Sequence, residues 1–405
     1  MKPALDSRLK HAGMTAQIGR ITEMSKKIFL VACEASGDLH GAHLISEIQK
    51  LAPDTIFCGV GGAKMQAAGM QIFHDMTKIS ALGLGDVLRN YFKYLKIFNE
   101  TLKNIRQEKP DAVILIDSPA FNLRLAKKLP AAAPVLYYIS PQLWAWGKRR
   151  IHIVKKHIRE MLVILPFEKD FYEKEGVAVK FVGHPLLDAI PELPAPAVLR
   201  AKIGIAPDQK AIGLFSGSRE KEVKRILPVM LRAAAHLLQD FPEAVFFISK
   251  SSNVRPEVYD ELLQASPVKV ECPSAPFYEL VKAMDFAYVA SGTATLETAL
   301  IGTPFFLLYK ASWSTYFLGK HLIKVPYLGL VNLLADTRVI PEFIQQDAHP
   351  ETLAHEARVF LQSPELQEKM KAEFREVREK LGEKGASARA AKEVCDFLGQ
   401  RPSAL

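Results

Sequence analysis

From Lys27 onward, short apolar runs alternate with glycine-rich turns and with longer stretches whose apolar positions recur every three or four residues. Ile28-Phe-Leu-Val-Ala32 comes first, then Glu34-Ala-Ser-Gly-Asp38, then an amphipathic segment to about Lys50. Strand, turn and helix repeated in that order is the pattern of βαβ units in a parallel sheet. Ile56 to Val60, Ala112 to Ile116, Val135 to Ile139 and Leu162 to Leu165 are apolar along most of their length. Strands covered on both faces have that character. The pattern predicts a Rossmann-like domain over residues 27–190.

Pro185, Pro191, Pro194 and Pro196 forbid a continuing helix and predict an exposed linker. The same grammar restarts over residues 197–363. Ile212-Gly-Leu-Phe215 leads into Ser216-Gly-Ser-Arg219, and Val245 to Ile248, Val268 to Val270, Phe286 to Val289 and Phe305 to Leu308 continue the strands. Residues 364–405 read as charged C-terminal helices, with Glu376 and Lys380 at helical pairing distance. They either close the second domain or cross back to the first. Residues 1–26 are polar, lack helical periodicity and read as an extension outside the fold; Met24 is an alternative start. The expected fold class is α/β, two Rossmann-like domains facing a central cleft.

Composition adds a charge asymmetry. The 405 residues are 49% hydrophobic and 24% charged, with a formal net charge of +9. Residues 1–200 hold 28 basic and 19 acidic side chains, whereas residues 201–405 hold 25 of each. The first half is therefore expected to meet something anionic: nucleic acid, a phosphorylated substrate or lipid headgroups. Cys33, Cys58, Cys272 and Cys395 form no CxxC pair, which argues against a disulfide framework or zinc site and for a reducing compartment. No apolar stretch is long enough to span a bilayer, and no signal-peptide core is present, so a cytosolic location is expected.

In a two-domain sheet protein, ligands bind in the loops at the carboxyl ends of the strands. Ala290-Ser-Gly-Thr-Ala-Thr-Leu-Glu297 follows one strand and opens a helix, so Ser291, Gly292 and Thr293 read as a phosphate cradle. Ser216, Gly217, Ser218 and Arg219 form a second such turn, with Arg219 as a cation for a diphosphate. Glu297 is placed to accept from ribose hydroxyls. In the first domain Asp117 ends an apolar strand, where it reads either as a general base or as a cap of the next helix. Glu34 and Asp38 offer further carboxylates, against which stands ordinary capping by Ser36 or Asp38.

His40 and His43 share a helix face, but no third ligand is suitably spaced, so no metal is expected. Asp-x-Asp, the usual holder of Mg²⁺ on a nucleotide diphosphate, is absent, and so is GxGxxG. No cofactor is predicted. Val87 to Ile105 interleaves Leu88, Tyr91, Phe92, Leu95, Phe98 and Leu102 with Arg89, Lys93 and Lys96, and Trp313 to Leu330 mixes Trp313, Tyr316, Phe317 and Tyr327 with Lys320, His321 and Lys324. Both read as buried helices or as membrane and acyl-chain surfaces.

The motifs together resemble the lipid-A-disaccharide synthase family of inverting glycosyltransferases. The likeness runs from about Lys27 to about Leu361. It comprises Glu34-Ala-Ser-Gly-Asp38, Gly59-Val-Gly-Gly62 with Met65-Gln66, Ile116-Asp-Ser-Pro119 with Phe121-Asn122, and Tyr138-Ile-Ser-Pro141 with Trp144-Ala-Trp146. Leu165-Pro-Phe-Glu168, Val182-Gly-His184, Ser216-Gly-Ser-Arg219, Ser291-Gly-Thr293 and Asn332-Leu-Leu-Ala335 continue it in order. Cys33 stands where the family commonly has glycine, and the first 23 residues have no counterpart.

The resemblance implies a glycosyltransferase-B fold and condensation of UDP-2,3-diacylglucosamine with 2,3-diacylglucosamine 1-phosphate, giving lipid A disaccharide 1-phosphate and UDP in lipid A biosynthesis. It implies Asp117 as catalytic carboxylate, Arg219 as nucleotide-binding arginine, and Glu34, Ser36 and Asn332 as positions important for activity. It also implies peripheral association with the cytoplasmic face of the inner membrane and no nucleic acid partner; a homo-oligomer stays open. Two other classes fit parts of the sequence. A UDP-N-acetylglucosamine 2-epimerase would share the fold and nucleotide loops but need no acyl-chain surface. A non-enzymatic basic membrane-binding module explains the charge but not the phosphate loops.

Overall fold

A computed structural model describes residues 25–77, 87–130, 132–313, 316–317 and 325–399; for residues 87–91 it describes the backbone alone. Residues 1–24 of the expected extension lie outside these, as do Lys320, His321 and Lys324 and the side chains of Leu88, Arg89 and Tyr91, whereas Lys26 already joins the sheet, its carbonyl accepting from the Ile56 N–H at 2.8 Å.

The first sheet has seven strands: β1 (Lys27–Ala32), β2 (Ile56–Gly61), β3 (Gln71–Asp75), β4 (Ala112–Ile116), β5 (Val135–Tyr138), β6 (Glu160–Val163) and β7 (Val179–Phe181). Their order is 3-2-1-4-5-6-7, and every pair is parallel. Both faces are covered, so the period of two appears as two cores. Phe29, Val31, Val113 and Leu115 enter one, and Ile28, Leu30, Ala32, Ile114 and Ile116 enter the other. The second sheet holds β8 (Ala211–Phe215), β9 (Val245–Phe247), β10 (Val270–Glu271), β11 (Phe286–Ala290), β12 (Phe305–Tyr309) and β13 (Glu342–Ile344), in the order 10-9-8-11-12-13.

Strands β3, β7 and β13 are edge strands that the apolar pattern does not predict. Each is short or half-exposed, so its sequence (QIFHD, VKF, EFI) lacks the continuous apolar run of a central strand. β6 begins two residues earlier than the apolar run suggests, at Glu160.

The proline-rich segment is only partly a linker on the surface. Leu186, Leu187 and Ile190 are buried in the core of the second half, and Leu186–Ala189 forms one helical turn. Beyond it, Pro196 opens the helix Pro196–Lys202 at the position where a missing N–H costs nothing. The C-terminal helices diverge. Pro364–Lys380 packs Met370, Phe374 and Val377 on the second core, whereas Ala386–Gly399 buries Ala390, Ala391, Val394 and Leu398 against the first sheet beside the helix Ala35–Leu51.

Lys380 donates to the Leu334 and Ala335 carbonyls (3.0 and 3.3 Å), neutralising the end of the helix Leu330–Ala335. The Arg389 guanidinium donates to the Val182, Lys384 and Glu383 carbonyls at 2.8, 2.7 and 2.6 Å, and Asp188 accepts from the Gly385 N–H. The two chain crossings between the halves are thus bound to each other.

Gly59 sits at a register shift between β2 and β3 with φ of 150°. A Cβ there would stand 2.0 Å from the Leu30 carbonyl oxygen of β1. Gly176 also has positive φ, at 70°, but its Cβ would meet nothing within 4 Å. Gly59→Ala should therefore cost more than about 3 kcal/mol, beyond ordinary overpacking, and Gly176→Ala only about 1–2 kcal/mol of left-handed backbone strain. Urea unfolding midpoints of the two variants check the contrast.

Candidate active site

In each sheet the chain order reverses at one place, between β1 and β4 and between β8 and β11. Loops leaving neighbouring strands there diverge to opposite faces and open a crevice at the carboxyl ends. Ala32 is the register partner of Ile116, so Cys33-Glu34 and Asp117-Ser118 leave from paired positions. Phe215 pairs with Val289, so Ser216 and the Ala290-Ser291 turn do the same in the second sheet. Topology thus gathers the candidates of the first half at one switch point and those of the second, Asn332 apart, at or next to the other.

Asp117 and Ser118 both have φ of 46°, a consecutive left-handed pair between β4 and the helix Pro119–Ala126. Left-handed backbone is uncommon for non-glycine residues, though Asp and Asn tolerate it best. Tyr137, fully buried, donates its hydroxyl to the Asp117 carbonyl at 2.5 Å. The Asn122 amide donates to the same oxygen at 2.7 Å and to the Ile116 carbonyl at 3.0 Å, while the Asp117 N–H reaches Tyr138 at 3.1 Å. These bonds hold the turn and leave the carboxyl at the crevice. Burial, then the nearby Glu34 charge, raise its pKa to about 6, against a hydrogen bond from the Ser118 backbone that lowers it. A carboxylate so poised suits proton abstraction near neutral pH. Ser118, not Asp117, is the N-cap residue of the following helix, and its side chain makes no cap bond.

Glu34 is the N-cap residue of the helix Ala35–Leu51 without a side-chain cap bond, and both it and Ser36 are exposed. Asp38 caps a different helix. Its carboxylate accepts from the Gly62, Lys64 and Met65 N–H groups at 2.7, 3.1 and 3.1 Å, at the start of Ala63–Ala67. Capping by side chains of the Glu34-Ala-Ser-Gly-Asp38 run therefore does not occur within its own helix, and Glu34 and Ser36 stay open to the crevice.

Ser216 is buried, Gly217 has φ of 102°, and Ser218 and Arg219 are exposed at the start of the helix Glu220–Asp240. Arg219 pairs with Glu222 at 2.9 Å, yet its side chain is 80% exposed. Such a surface pair is weak enough to be exchanged for a phosphate. Ser291, Gly292 and Thr293 form the turn into Thr293–Ile301, with Gly292 and Thr293 exposed. Glu297, one turn further on, accepts from the Tyr278 hydroxyl at 2.8 Å, and burial raises its pKa above the usual carboxylate range.

Asn332 is not at the crevice wall. It is fully buried, donates to the Ile340 carbonyl and Glu342 carboxylate at 2.9 and 2.8 Å, and accepts from the Ile340 N–H at 2.9 Å. With its hydrogen-bonding groups so engaged it locks the helix Leu330–Ala335 to β13, and Glu342 in turn accepts from the Leu328 and Gly329 N–H groups.

Three further side chains brace these loops: Glu168, from the Leu165-Pro-Phe-Glu168 string, and Tyr137 and Tyr278, which belong to none of the motifs above. Glu168, 1% exposed, accepts from Ser140 Oγ (2.6 Å), Trp144 Nε1 (3.1 Å) and the Leu165 N–H (3.2 Å), and burial raises its pKa to about 7. It ties the Tyr138-Ile-Ser-Pro141 loop to the next strand exit, and Trp144 stacks edge-on to Phe167 where both meet the second core. Two cavities of about 450 and 330 Å³ lie in the second half and are lined by none of the candidate residues.

The helix Val87–Glu108 packs one face on the first core. Ile97 and Ile105 are buried, and Phe98 packs edge-to-face on Phe121, while Phe92 is 74% exposed.

A family model described as lipid-A-disaccharide synthetase matches residues 28–394. The lipid-A-disaccharide synthase of Syntrophus aciditrophicus is 41% identical over 370 residues, 91% of this chain and 96% of that one. Its counterpart from Geobacter metallireducens is 39% identical over 381 residues, covering 94% and 99%. Among solved structures, a complex of S. aureus MnaA with UDP superposes with a TM-score of 0.63 at 15% identity, covering 94% of this chain and all of that one, which bears on the fold alone. Two Rossmann-like sheets with a half-buried, strained aspartate at one switch point and glycine-containing strand-to-helix turns at the other agree with the sequence likeness, and the chain belongs to the lipid-A-disaccharide synthetase family of glycosyltransferases.

Proposed function

We propose that the protein transfers the diacylglucosamine unit of UDP-2,3-diacylglucosamine to the 6-hydroxyl of 2,3-diacylglucosamine 1-phosphate, with inversion and release of UDP. The observation that carries this reading is the Asp117 carboxyl, held by a strained turn at the first switch point with its pKa raised to about 6. As base it takes the acceptor hydroxyl proton while the sugar's anomeric carbon accepts the oxygen and the bond to UDP breaks. Glu34 and Ser36 flank it and orient the acceptor. Ser216 to Arg219 and Ser291 to Thr293 receive the diphosphate, and Glu297 the ribose. Charge on the departing UDP falls to Arg219 and the helix ends. Membrane association is supported by the basic first half and by the exposure of Phe92, Trp313 and Phe317 (74, 60 and 54%); among the described residues no helix is long and apolar enough to cross a bilayer.

The direct experiment is incubation with both acylated sugars and detection of the disaccharide and UDP; absence of disaccharide overturns the reading. Asp117→Asn keeps a residue suited to left-handed backbone while removing the base, and should cost about 10²–10⁴ in rate with UDP affinity kept. Because the base must be ionised, wild-type turnover should rise with pH through about 6 and level off above it, as a pH–rate profile checks. The same raised pKa means that the folded state binds this proton more tightly than the unfolded chain does. The ionised carboxyl therefore costs stability above pH 6, and Asp117→Asn should melt no lower than wild type at pH 8. Arg219→Ala should lose roughly 2–4 kcal/mol of transition-state stabilisation, read as kcat/KM for the UDP-sugar. With no Asp-x-Asp in the chain, turnover should persist in excess chelator.

A further inference from the structure

The chain's positive charge is concentrated more narrowly than its halves suggest. Between Ser118 and Arg159 there is no Asp or Glu, and there are nine cations: Arg124, Lys127, Lys128, Lys148, Arg149, Arg150, Lys155, Lys156 and Arg159. The helices Pro119–Ala126 and Ile151–His157, which carry Arg124, Lys155 and Lys156 and are flanked along the chain by the other six, lie side by side on one face of the first sheet. The stripe has two ends. Lys127, Lys128 and Lys155 to Arg159 lie toward the amino ends of the strands, since the Arg159 N–H bonds to Val135 at the start of β5. Trp146, Lys148, Arg149 and Arg150 lie at the other end, where the chain leaves β5 and enters its helix.

That end borders the candidate base. Ile116 and Tyr138 are register partners, and the chain runs from Tyr138 through a buried, anchored loop to Trp146. Ile139, with φ of 61°, and the Glu168 carboxylate fix this loop. The Arg150 guanidinium stacks on the exposed Trp146 ring at 4.7 Å, which orients it without consuming its donors. No ion pair engages Arg149 or Arg150 among the described residues, and Lys148 reaches Glu175 only at 3.9 Å. Guanidinium groups held in this way bind phosphate in bidentate fashion.

We propose that Lys148, Arg149 and Arg150, with Trp146 as the platform under Arg150, bind a sugar-linked phosphate monoester, that of the glycosyl acceptor. The inference rests on the glycosyl-transfer reading above. In an acceptor that carries its phosphate and its reacting hydroxyl on one sugar ring, the phosphate must lie within a ring's length of the base. The neighbouring strand-to-helix unit supplies three surface cations on that side.

The test is steady-state kinetics of full-length Arg149→Ala/Arg150→Ala with the acceptor monophosphate and with its dephosphorylated form, beside Lys155→Ala/Lys156→Ala, which removes equal charge from the far end of the stripe. KM for the phosphorylated acceptor should rise about 10- to 100-fold, as expected for loss of charged hydrogen bonds, in the arginine variant only. KM for the UDP-sugar should stay unchanged, and the two enzymes should converge on the dephosphorylated acceptor. Equal effects of both double variants, or an unchanged acceptor KM, overturn the proposal. So does loss of sedimentation with phosphatidylglycerol vesicles at unaltered acceptor KM, which would assign these cations to lipid headgroups. If wild type makes no disaccharide from either acceptor, the glycosyl-transfer reading itself fails. All three cations are at the surface, so matched melting temperatures should confirm that the variants fold.

Discussion

Parallel pairing of β1 with β4 and of β8 with β11 is the constraint on which the rest depends. A parallel strand must return over a face of its sheet, and when successive crossovers take opposite faces the exiting loops separate. Two such separations occur here, one in each sheet. Glu34, Ser36 and Asp117 come to one of them, and Ser216 to Arg219 and Ser291 to Thr293 to the other. The chemistry needs no unusual arrangement of strands; it uses the openings that a doubly wound sheet always leaves.

Local strain then refines one opening. Asp117 and Ser118 pass through left-handed backbone that a β4 exit would ordinarily avoid, and Tyr137 and Asn122 satisfy the resulting carbonyls from below. The carboxyl is left half-buried beside Glu34, which is what raises its pKa. In a freely solvated turn the same residue would be ionised well below neutral pH and would be a weaker base. Strain and desolvation are therefore two consequences of one turn geometry.

The halves are joined by polar groups as much as by apolar ones. Arg389 binds three carbonyls across the two crossings, and Glu168 holds Trp144 against the second core. Glu168 is taken almost wholly from water and Arg389 in part, and each is met by several directed partners. Such bonds define an orientation between the sheets more sharply than non-directional apolar packing does.

The central strands, the helices between them and the loops that carry Asp117, Arg219 and Ser291 were legible in the sequence, because a strand buried on both faces must be continuously apolar and the turn after it must be small or polar. The edge strands β3, β7 and β13 were not, since one exposed side frees their residues from that pattern. Asp38 looked like a cap for its own helix and serves another, and Asn332 looked like a site residue and is a buried lock. Their partners, such as Gly62 for Asp38 and Glu342 for Asn332, lie at distances along the chain that no periodicity encodes. Composition showed that the first half is basic, but only the packing of Pro119–Ala126 against Ile151–His157 decided that much of this charge gathers on one face of the first sheet. The sequence by itself determined which residues are apolar, small or charged and hence the order of elements; which of those residues meet was decided by the strand order, because proximity across a parallel sheet is set by crossover topology and not by separation along the chain.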